Sequence, residues 1–375
     1  MKKKVLIAGL TLTASICSAF GIVGCGGDND AYQPTDGLEY TEYGNYCSVS
    51  GIGTATDTDI YIADKYNGKP VTTIDASAFK NCSRLTSIII PDSVAFISES
   101  AFYNCSNLIK INIPDGVKTI PSSAFYNCSS LTTVTIPDSV TAIMKDAFNN
   151  CGGLVHMTIP DSVTNIGVNA FYNCSYLTKI SLPDSVTFLG SSAFYNCSSL
   201  TSITIPKQLN AIANSLFANC SGLTSITIPD NITAIGEGAF MGCSGLSKMT
   251  IPDSVTSIGQ DAFKYCTQIV QIENGVEYVD KWVTACDTYD KQVKLRENTK
   301  GIAEYAFVNR FSLTSIDIPV SMTKICKYAF YRSNLTDIKY DGTQEQWLKI
   351  AKGVGWNYNA GDKLIVHCKD GDIKQ

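Results

Sequence analysis

Apolar and polar residues recur along this chain with one fixed period. Phenylalanines stand at positions 79, 102, 125, 148, 171, 194, 217, 240 and 263, always 23 residues apart. Cysteines follow three residues later, from position 82 to position 266, and prolines from position 91 to position 252 keep the same period. A fixed period of 20–30 residues is typical of a solenoid, whose coils bury their apolar faces only against neighbouring coils.

The residues of one coil predict a half-buried strand followed by two corners. Ser202 and Thr204 alternate with Ile203 and Ile205, a period of two that is typical of a strand with one buried face. Pro206 ends the strand. A second apolar pair further along each coil predicts a second inward corner. The segment Ser-Ala-Phe-Tyr-Asn-Cys is so short that it predicts a single helical or 3₁₀ turn.

The repeat is interrupted after Phe263. The next repeat phenylalanine, Phe307, follows after 44 residues, two short of two periods. The spacing predicts a degenerate coil at about residues 270–300, in which Ile272 keeps its strand position and Val283 replaces the phenylalanine three residues before Cys286. With this coil, the repeats form about twelve coils over residues 71–340.

The repeat motif resembles that of a known family. Leu-x-x-Ile-x-Ile-Pro followed by Val-x-x-Ile-Gly-x-x-Ala-Phe-x-x-Cys is similar to the BspA-type leucine-rich repeats of bacterial surface proteins. The resemblance covers residues 38–375 and implies a mostly-β leucine-rich-repeat solenoid of 23-residue coils. Residues 38–70 and 341–375 resemble the ends of that family and are predicted to cap the solenoid. The family implies surface adhesion or host-protein binding, without naming a ligand.

The N-terminus has the pattern of an export signal. Residues 2–4 are lysines, and an apolar stretch at about residues 5–20 precedes Ile-Val-Gly-Cys, which resembles a bacterial lipobox. This pattern predicts a signal peptide at residues 1–24 and a lipidated Cys25 at the start of a flexible tether, residues 25–37. The protein is therefore expected outside the cytoplasm, held to the bacterial envelope by lipid. An ordinary secretory signal followed by a chance cysteine is the alternative.

Composition narrows the classes of function. The formal net charge of −5 offers no basic excess for nucleic acid. His156 and His367 are the two histidines of the chain, and the sequence contains no nucleophile-elbow, phosphate-loop or zinc-protease motif. His367 lies beside Cys368, but adjacent residues on a strand point to opposite faces. We therefore expect a protein that is not an enzyme and uses no cofactor.

The nine repeat cysteines have three possible roles. Tetrahedral metal binding is excluded because ligands in a straight line cannot converge on one ion. Disulfides are compatible with a coil spacing of about 4.8 Å, but an odd number of equivalent cysteines has no unique pairing. The pattern therefore predicts buried free thiols. The recurrent Asn-Cys-Ser triplet is interpreted as the turn of the repeat and not as a glycosylation site.

The outward side of the strands is the predicted binding surface. Small hydroxyls with an occasional lysine suit broad contact with a protein or glycan. The central candidates are Ser202, Thr204, Ser225, Thr227, Lys248 and Thr250. A second candidate surface is the column of tyrosines that follow the repeat phenylalanines, at positions 103, 126, 172 and 195. The predicted function is a cell-surface binding or adhesion scaffold for host or bacterial proteins or glycans. The alternatives are a passive envelope spacer and a hydrolase with its site in the C-terminal cap.

Overall fold

A computed structural model describes residues 33–358 and 363–374. The predicted signal peptide, the predicted lipidation site Cys25 and most of the tether lie outside the described residues. The chain forms two compact units, one up to Ile180 and one from Ser181 onward. Each unit is mostly β and is built from coils of about 23 residues, which confirms the predicted solenoid.

The first unit begins with five short strands. These strands are β1 (Glu39–Glu42), β2 (Cys47–Gly51), β3 (Asp59–Tyr61), β4 (Lys65–Tyr66) and β5 (Lys69–Ile74). Strand β2 pairs antiparallel with β1 and parallel with β5, while β4 is antiparallel to β5. Strand β3 lies in a separate sheet from the other four strands. Strands β3 and β5 each pair parallel with a first strand of the repeats, so both lead directly into the coils.

Each following coil of the first unit contributes two short strands. The first column contains β6 (Ser87–Ile89), β8 (Lys110–Ile111), β10 (Thr133–Val134), β12 (His156–Thr158) and β14 (Lys179–Ser181). The second column contains β7 (Phe96–Ile97), β9 (Thr119–Ile120), β11 (Ala142–Ile143) and β13 (Asn165–Ile166). Equivalent residues pair in parallel, as Ile88 does with Ile111 and Ala142 with Thr119. The second apolar pair of each coil, predicted to form an inward corner, therefore lies at a second short strand instead.

The segment between the second strand and the cysteine is a tight turn that differs from a helix. Tyr103 N–H donates to the Ser100 carbonyl at 3.0 Å, the i→i+3 bond of a 3₁₀ turn. However, Ser100 and Asn104 have left-handed φ values of 57° and 60°, so the turn cannot continue as a helix. Because right-handed and left-handed residues alternate in the turn, the N–H of every second residue points toward the next coil. Phe102 N–H, for example, donates to the Ala124 carbonyl at 2.9 Å. Most of these positions carry asparagine, serine or aspartate, whose short polar side chains tolerate this conformation. Tyr265, Tyr305, Tyr328 and Arg332 adopt it as well.

The repeat phenylalanines form the centre of the core. In the first unit, neighbouring rings from Phe79 to Phe171 stack with centroids 5.2–5.4 Å apart. In the second unit, rings from Phe194 to Phe263 stack at 5.6–5.9 Å. All these rings are buried, together with the leucine and isoleucine of each strand. Because each coil buries its ring only against the coil above and below, stability depends on stacking between neighbours.

The second unit begins with short strands and ends in two larger sheets. Its first strands are β15 (Phe188–Leu189), β16 (Ala211–Ile212), β17 (Ala234–Ile235) and β18 (Ser257–Ile258). The first large sheet holds β19 (Gln271–Glu273), β20 (Val276–Val279), β21 (Trp282–Cys286), β23 (Gly301–Ile302), β25 (Lys324–Ile325) and β27 (Ala351–Lys352). The second holds β22 (Gln292–Lys294), β24 (Ser315–Ile318), β26 (Asp337–Tyr340), β28 (Ile365–Cys368) and β29 (Gly371–Lys374).

One short helix, α1 (Gln344–Lys349), lies near the end of the described residues. Its N-terminus is closed by a capping box, in which the Thr343 hydroxyl accepts from Gln346 N–H and the Gln346 side chain accepts from Thr343 N–H. Its buried Trp347 packs edge-on against Tyr340 and Trp356. The helix thereby covers the last apolar layer of the second unit. Within the described part of the chain, no helix has the length and apolar character needed to cross a membrane.

The degenerate coil differs from the predicted alignment. Strands β19, β20 and β21 form an antiparallel meander, and Val283 pairs in register with Ile302. Val283 therefore occupies the second-strand position, and its prediction as the phenylalanine equivalent was wrong. Ile272 is also not inward, since 69% of it is exposed. The distance to Cys286 mispredicted the position of Val283, because the antiparallel β20–β21 hairpin replaces the corner whose constant length keeps the regular coils in register.

Candidate functional site

The predicted binding residues lie together on three consecutive coils of the second unit. Ser202, Thr204, Ser225, Thr227, Lys248 and Thr250 are all exposed; we call them the strand face. Ile203, Ile205 and Ile226, which alternate with them, are buried. The predicted alternation is therefore confirmed.

The backbone under the strand face has less regular pairing than predicted. Ser225 and Lys248 form an isolated parallel bridge and not part of a continuous ladder. Pairing in these coils is limited to their start. The following residues still alternate between buried isoleucines and exposed hydroxyls.

An open depression of about 380 Å³ lies within the strand face. Its lining includes the exposed side chains of Ser225, Thr227, Lys248 and Thr250 and the half-buried Met249. With Asp230, which also lines the depression, these groups offer hydroxyl donors and acceptors, one ammonium, one carboxylate and a small apolar floor. Such a surface can hydrogen-bond a protein or glycan, and its lining contains no histidine or cysteine that could act as base or nucleophile.

The repeat cysteines are free thiols, as predicted, and all except the half-buried Cys82 are buried. In the coils after Cys82, the thiol donates a hydrogen bond to the carbonyl of the phenylalanine 26 residues earlier, at 2.9 Å for Cys105 to Phe79 and 3.0 Å for Cys151 to Phe125. Burial raises the pKa of the Cys128 and Cys174 thiols to about 12. The thiols therefore stay protonated near neutral pH and serve to satisfy turn carbonyls inside the core.

The tyrosine column is engaged with its own repeat. The rings of Tyr103 and Tyr126 stack with centroids 4.7 Å apart, and Lys80 lies 4.9 Å from the centre of the Tyr103 ring. In the second unit, the Tyr195 hydroxyl accepts a hydrogen bond from Asn219 at 3.0 Å. These half-buried rings pack against one another and against the turns that contain the repeat asparagines. Their contacts favour a structural role over ligand binding.

The other histidine and cysteine candidates do not form a catalytic pair. His156 is exposed, and its Nδ1 lies 3.0 Å from the Thr178 hydroxyl. His367 lies between two carboxylates, with Nδ1 2.9 Å from Asp372 and Nε2 3.1 Å from Asp337. Burial raises the pKa of the neighbouring Cys368 thiol, which packs against the core. Both ring nitrogens of His367 are thus occupied, and Cys368 is not activated as a nucleophile. Over residues 33–358 and 363–374, no group of three or more His, Cys, Asp or Glu side chains is arranged to hold a metal ion.

The His367 contacts predict a local dependence on pH. Hydrogen bonds that the His367 ring donates to the Asp337 and Asp372 carboxylates raise the pKa of His367 above its ordinary value of 6.5, whereas bonds donated by Thr336 and His367 lower the pKa of Asp337 below 3.8. His367 contributes fully to the free energy of unfolding below pH 6.5, and this contribution is lost as pH rises through its raised pKa. The contribution of Asp337 is lost as pH falls through its lowered pKa. Because these side chains are largely exposed to solvent, we expect the His367 contacts to stabilise the fold by only about 0.5–1 kcal/mol.

Amide exchange measures this effect. Between pH 5.5 and pH 8.5, strands β28 and β29 should lose protection beyond the change in intrinsic exchange rate. In His367→Gln, this extra pH dependence should disappear. The same pH dependence in the variant would show that His367 is not its source.

Sequence reasoning missed a second concave site, at the interrupted coil. It lies between the turn of residues 260–264, the β20–β21 hairpin and the turn of residues 304–310, and it encloses about 390 Å³. We call it the interruption cleft. At its base, Glu304 N–H donates to the Ile258 carbonyl at 2.9 Å. The only signal in the sequence was the loss of the 23-residue period after Phe263.

Comparison with known proteins agrees with the repeat geometry. A family model described as BspA type leucine rich repeat region (6 copies) matches residues 66–178, 141–270 and 269–347. The chain belongs to the BspA-type leucine-rich repeat family. Proteins of this family are typically exposed on the bacterial surface. A search of curated proteins gave no significant match.

The chain is similar to solved leucine-rich repeat structures. A leucine-rich repeat protein from Bacteroides ovatus is 27% identical, with a TM-score of 0.50, over 86% of this chain and 97% of that one. A leucine rich cell surface protein from Faecalibacterium prausnitzii is 28% identical, with a TM-score of 0.46, over 86% of this chain and 98% of that one. The likeness to the Bacteroides ovatus protein covers 86% of this chain and supports the fold.

Proposed function

We propose that this BspA-type protein is a cell-surface binding scaffold that contacts a host or bacterial protein or glycan through the strand face. The observation that carries the proposal is the row of exposed hydroxyls on three consecutive coils around the depression between Ser225 and Thr250. Neighbouring strands lie about 4.8 Å apart, so these side chains form one contiguous surface. Affinity then comes from many weak contacts and not from one deep pocket.

A triple substitution tests the strand face. Thr204→Glu, Thr227→Glu and Thr250→Glu together should weaken binding at least tenfold, because three carboxylates repel an acidic partner and obstruct a flat one. The fold should survive, since all three side chains are exposed. The measurement is capture of glycans and matrix proteins from arrays, with circular dichroism of the variant.

A matched control places the same three charges elsewhere in the second unit. Asn210→Glu, Thr233→Glu and Thr256→Glu together change exposed polar side chains next to the second strands and should leave binding unchanged. Full binding by the folded triple variant would rule out the strand face. Absence of any ligand for the parent protein would favour the passive spacer, and turnover of a substrate would favour the hydrolase.

We further propose that Cys25 anchors the protein to the envelope through lipid. The residues Ile-Val-Gly before Cys25 and the basic start of the chain support this proposal. Cys25→Ala should release the protein into the medium or leave it unprocessed, and lipid labelling of the parent protein should be lost in the variant. An unchanged membrane fraction, together with no lipid label on the parent, would contradict the anchor.

A further inference from the structure

The interruption cleft exposes a row of backbone donors. In the preceding coil, Gly238, Phe240 and Gly242 donate their N–H groups to the next coil at 2.8–2.9 Å. One period later, the equivalent N–H groups of Asp261, Phe263 and Tyr265 have no acceptor among the described residues. By the repeat geometry they point in the same direction, where the next coil is replaced by the cleft.

A matching row of acceptors lies on the other side of the cleft. In regular coils, the carbonyls of Gln260, Ala262 and Lys264 accept those bonds. The equivalent carbonyls of Glu304, Ala306 and Val308 accept none from the described part of the chain.

Unpaired donors on one side of the cleft and unpaired acceptors on the other therefore both recur at every second residue. An extended chain has the same spacing, because its backbone bonds to a neighbouring strand recur at every second residue. Adding a strand to free backbone edges is an established mode of peptide recognition. The cleft volume of about 390 Å³ lies within the range of about 300–1,000 Å³ for small-ligand sites.

The charges around the cleft favour a basic side chain in the ligand. Asp261 pairs with Lys264 at 3.3 Å, and Asp287 pairs with Arg310 at 3.0 Å. Glu277 lines the cleft, is half-buried and has no ion-pair partner among the described residues. Burial, with Asp287 and Asp261 nearby, raises the pKa of Glu277. A cation at this position would compensate the carboxylate that the protein leaves without a partner.

We propose that the interruption cleft binds an extended peptide segment with a lysine or arginine side chain directed at Glu277. The peptide carbonyls accept from Asp261, Phe263 and Tyr265, and its N–H groups donate to Glu304, Ala306 and Val308. The segment thus replaces the missing coil. This site is separate from the strand face, so either can fail in experiment without the other.

The test uses the full chain and a fluorescent pentapeptide, Thr-Val-Lys-Val-Thr with blocked ends. We expect binding by fluorescence anisotropy and slower amide exchange at residues 261–265. Replacing the peptide lysine by glutamate, or methylating both valine nitrogens, should weaken binding at least tenfold. Glu277→Gln should also weaken binding of the lysine peptide about tenfold, whereas Glu297→Gln, an exposed carboxylate outside the cleft, should not.

Several results would overturn the proposal. Equal affinity for the N-methylated peptide would show that the backbone edges are not used. Equal affinity for the glutamate peptide would remove the role of Glu277. Absence of binding at millimolar peptide, or slower exchange at residues 261–265 with a neutral hexasaccharide but not with the peptide, would exclude a peptide site.

Discussion

Phe148→Ala should destabilise the first unit by about 3–5 kcal/mol. The Phe148 ring is fully buried and stacks between Phe125 at 5.2 Å and Phe171 at 5.4 Å. Its removal leaves a cavity that neighbouring coils cannot close, because their positions are set by parallel strands and by turn hydrogen bonds. Since coils interact only with their neighbours, amide protection should be lost first in the coils next to Phe148.

Equilibrium urea unfolding, followed by circular dichroism and amide exchange, measures this loss. Phe96→Ala is the matched control, because the same atoms are removed from a side chain that is 66% exposed. The control should change the free energy of unfolding by less than about 1 kcal/mol. Comparable destabilisation by both variants would show that the ring stack is not the main source of stability.

Gly301→Ala should destabilise the interrupted coil toward the upper end of the 1–3 kcal/mol that is typical of overpacking. A Cβ at Gly301 would lie 2.4 Å from Cε3 and Cζ3 of the Trp282 ring. Trp282 is only 4% exposed, and its backbone pairs in register with that of Gly301. Trp282 must therefore move, which displaces the β20–β21 hairpin.

A double-mutant cycle isolates the contact with the ring. In a Trp282→Ala background, the added cost of Gly301→Ala should fall close to zero, since the clashing ring is gone. Gly44→Ala is the control, because a Cβ there meets nothing within 4 Å. Urea unfolding of the four members of the cycle provides the comparison, and an unchanged cost without the tryptophan would refute the steric explanation.

The fold could be predicted from sequence because the repeat amplifies a weak local signal. One alternation such as Ser202 to Ile205 is ambiguous, but the same alternation at a period of 23 residues specifies which side of every coil is buried. The buried phenylalanines and cysteines follow from the same argument, since identical side chains at one period must meet when coils stack. The exposure of the strand face follows from the same alternation, because the side chains between buried ones on a strand point to solvent.

Hydrogen-bond partners were decided only by the tertiary structure. The sequence predicted buried thiols, but not that Cys105 donates to the Phe79 carbonyl, because that contact joins residues 26 apart across two coils. The left-handed Ser100 and Asn104 were also missed. Their conformation is required by hydrogen bonds to the following coil and not by a strong local preference of serine.

The interruption marks where the repeat ceases to predict position. Val283 was assigned from its distance to Cys286, whereas strand pairing places it beside Ile302. Periodicity predicts side-chain position only while each corner keeps its length, and the β20–β21 hairpin replaces such a corner. Sequence therefore determined the coils and their buried faces, while tertiary pairing decided the register after Phe263 and left the opposing backbone edges of the interruption cleft unpaired.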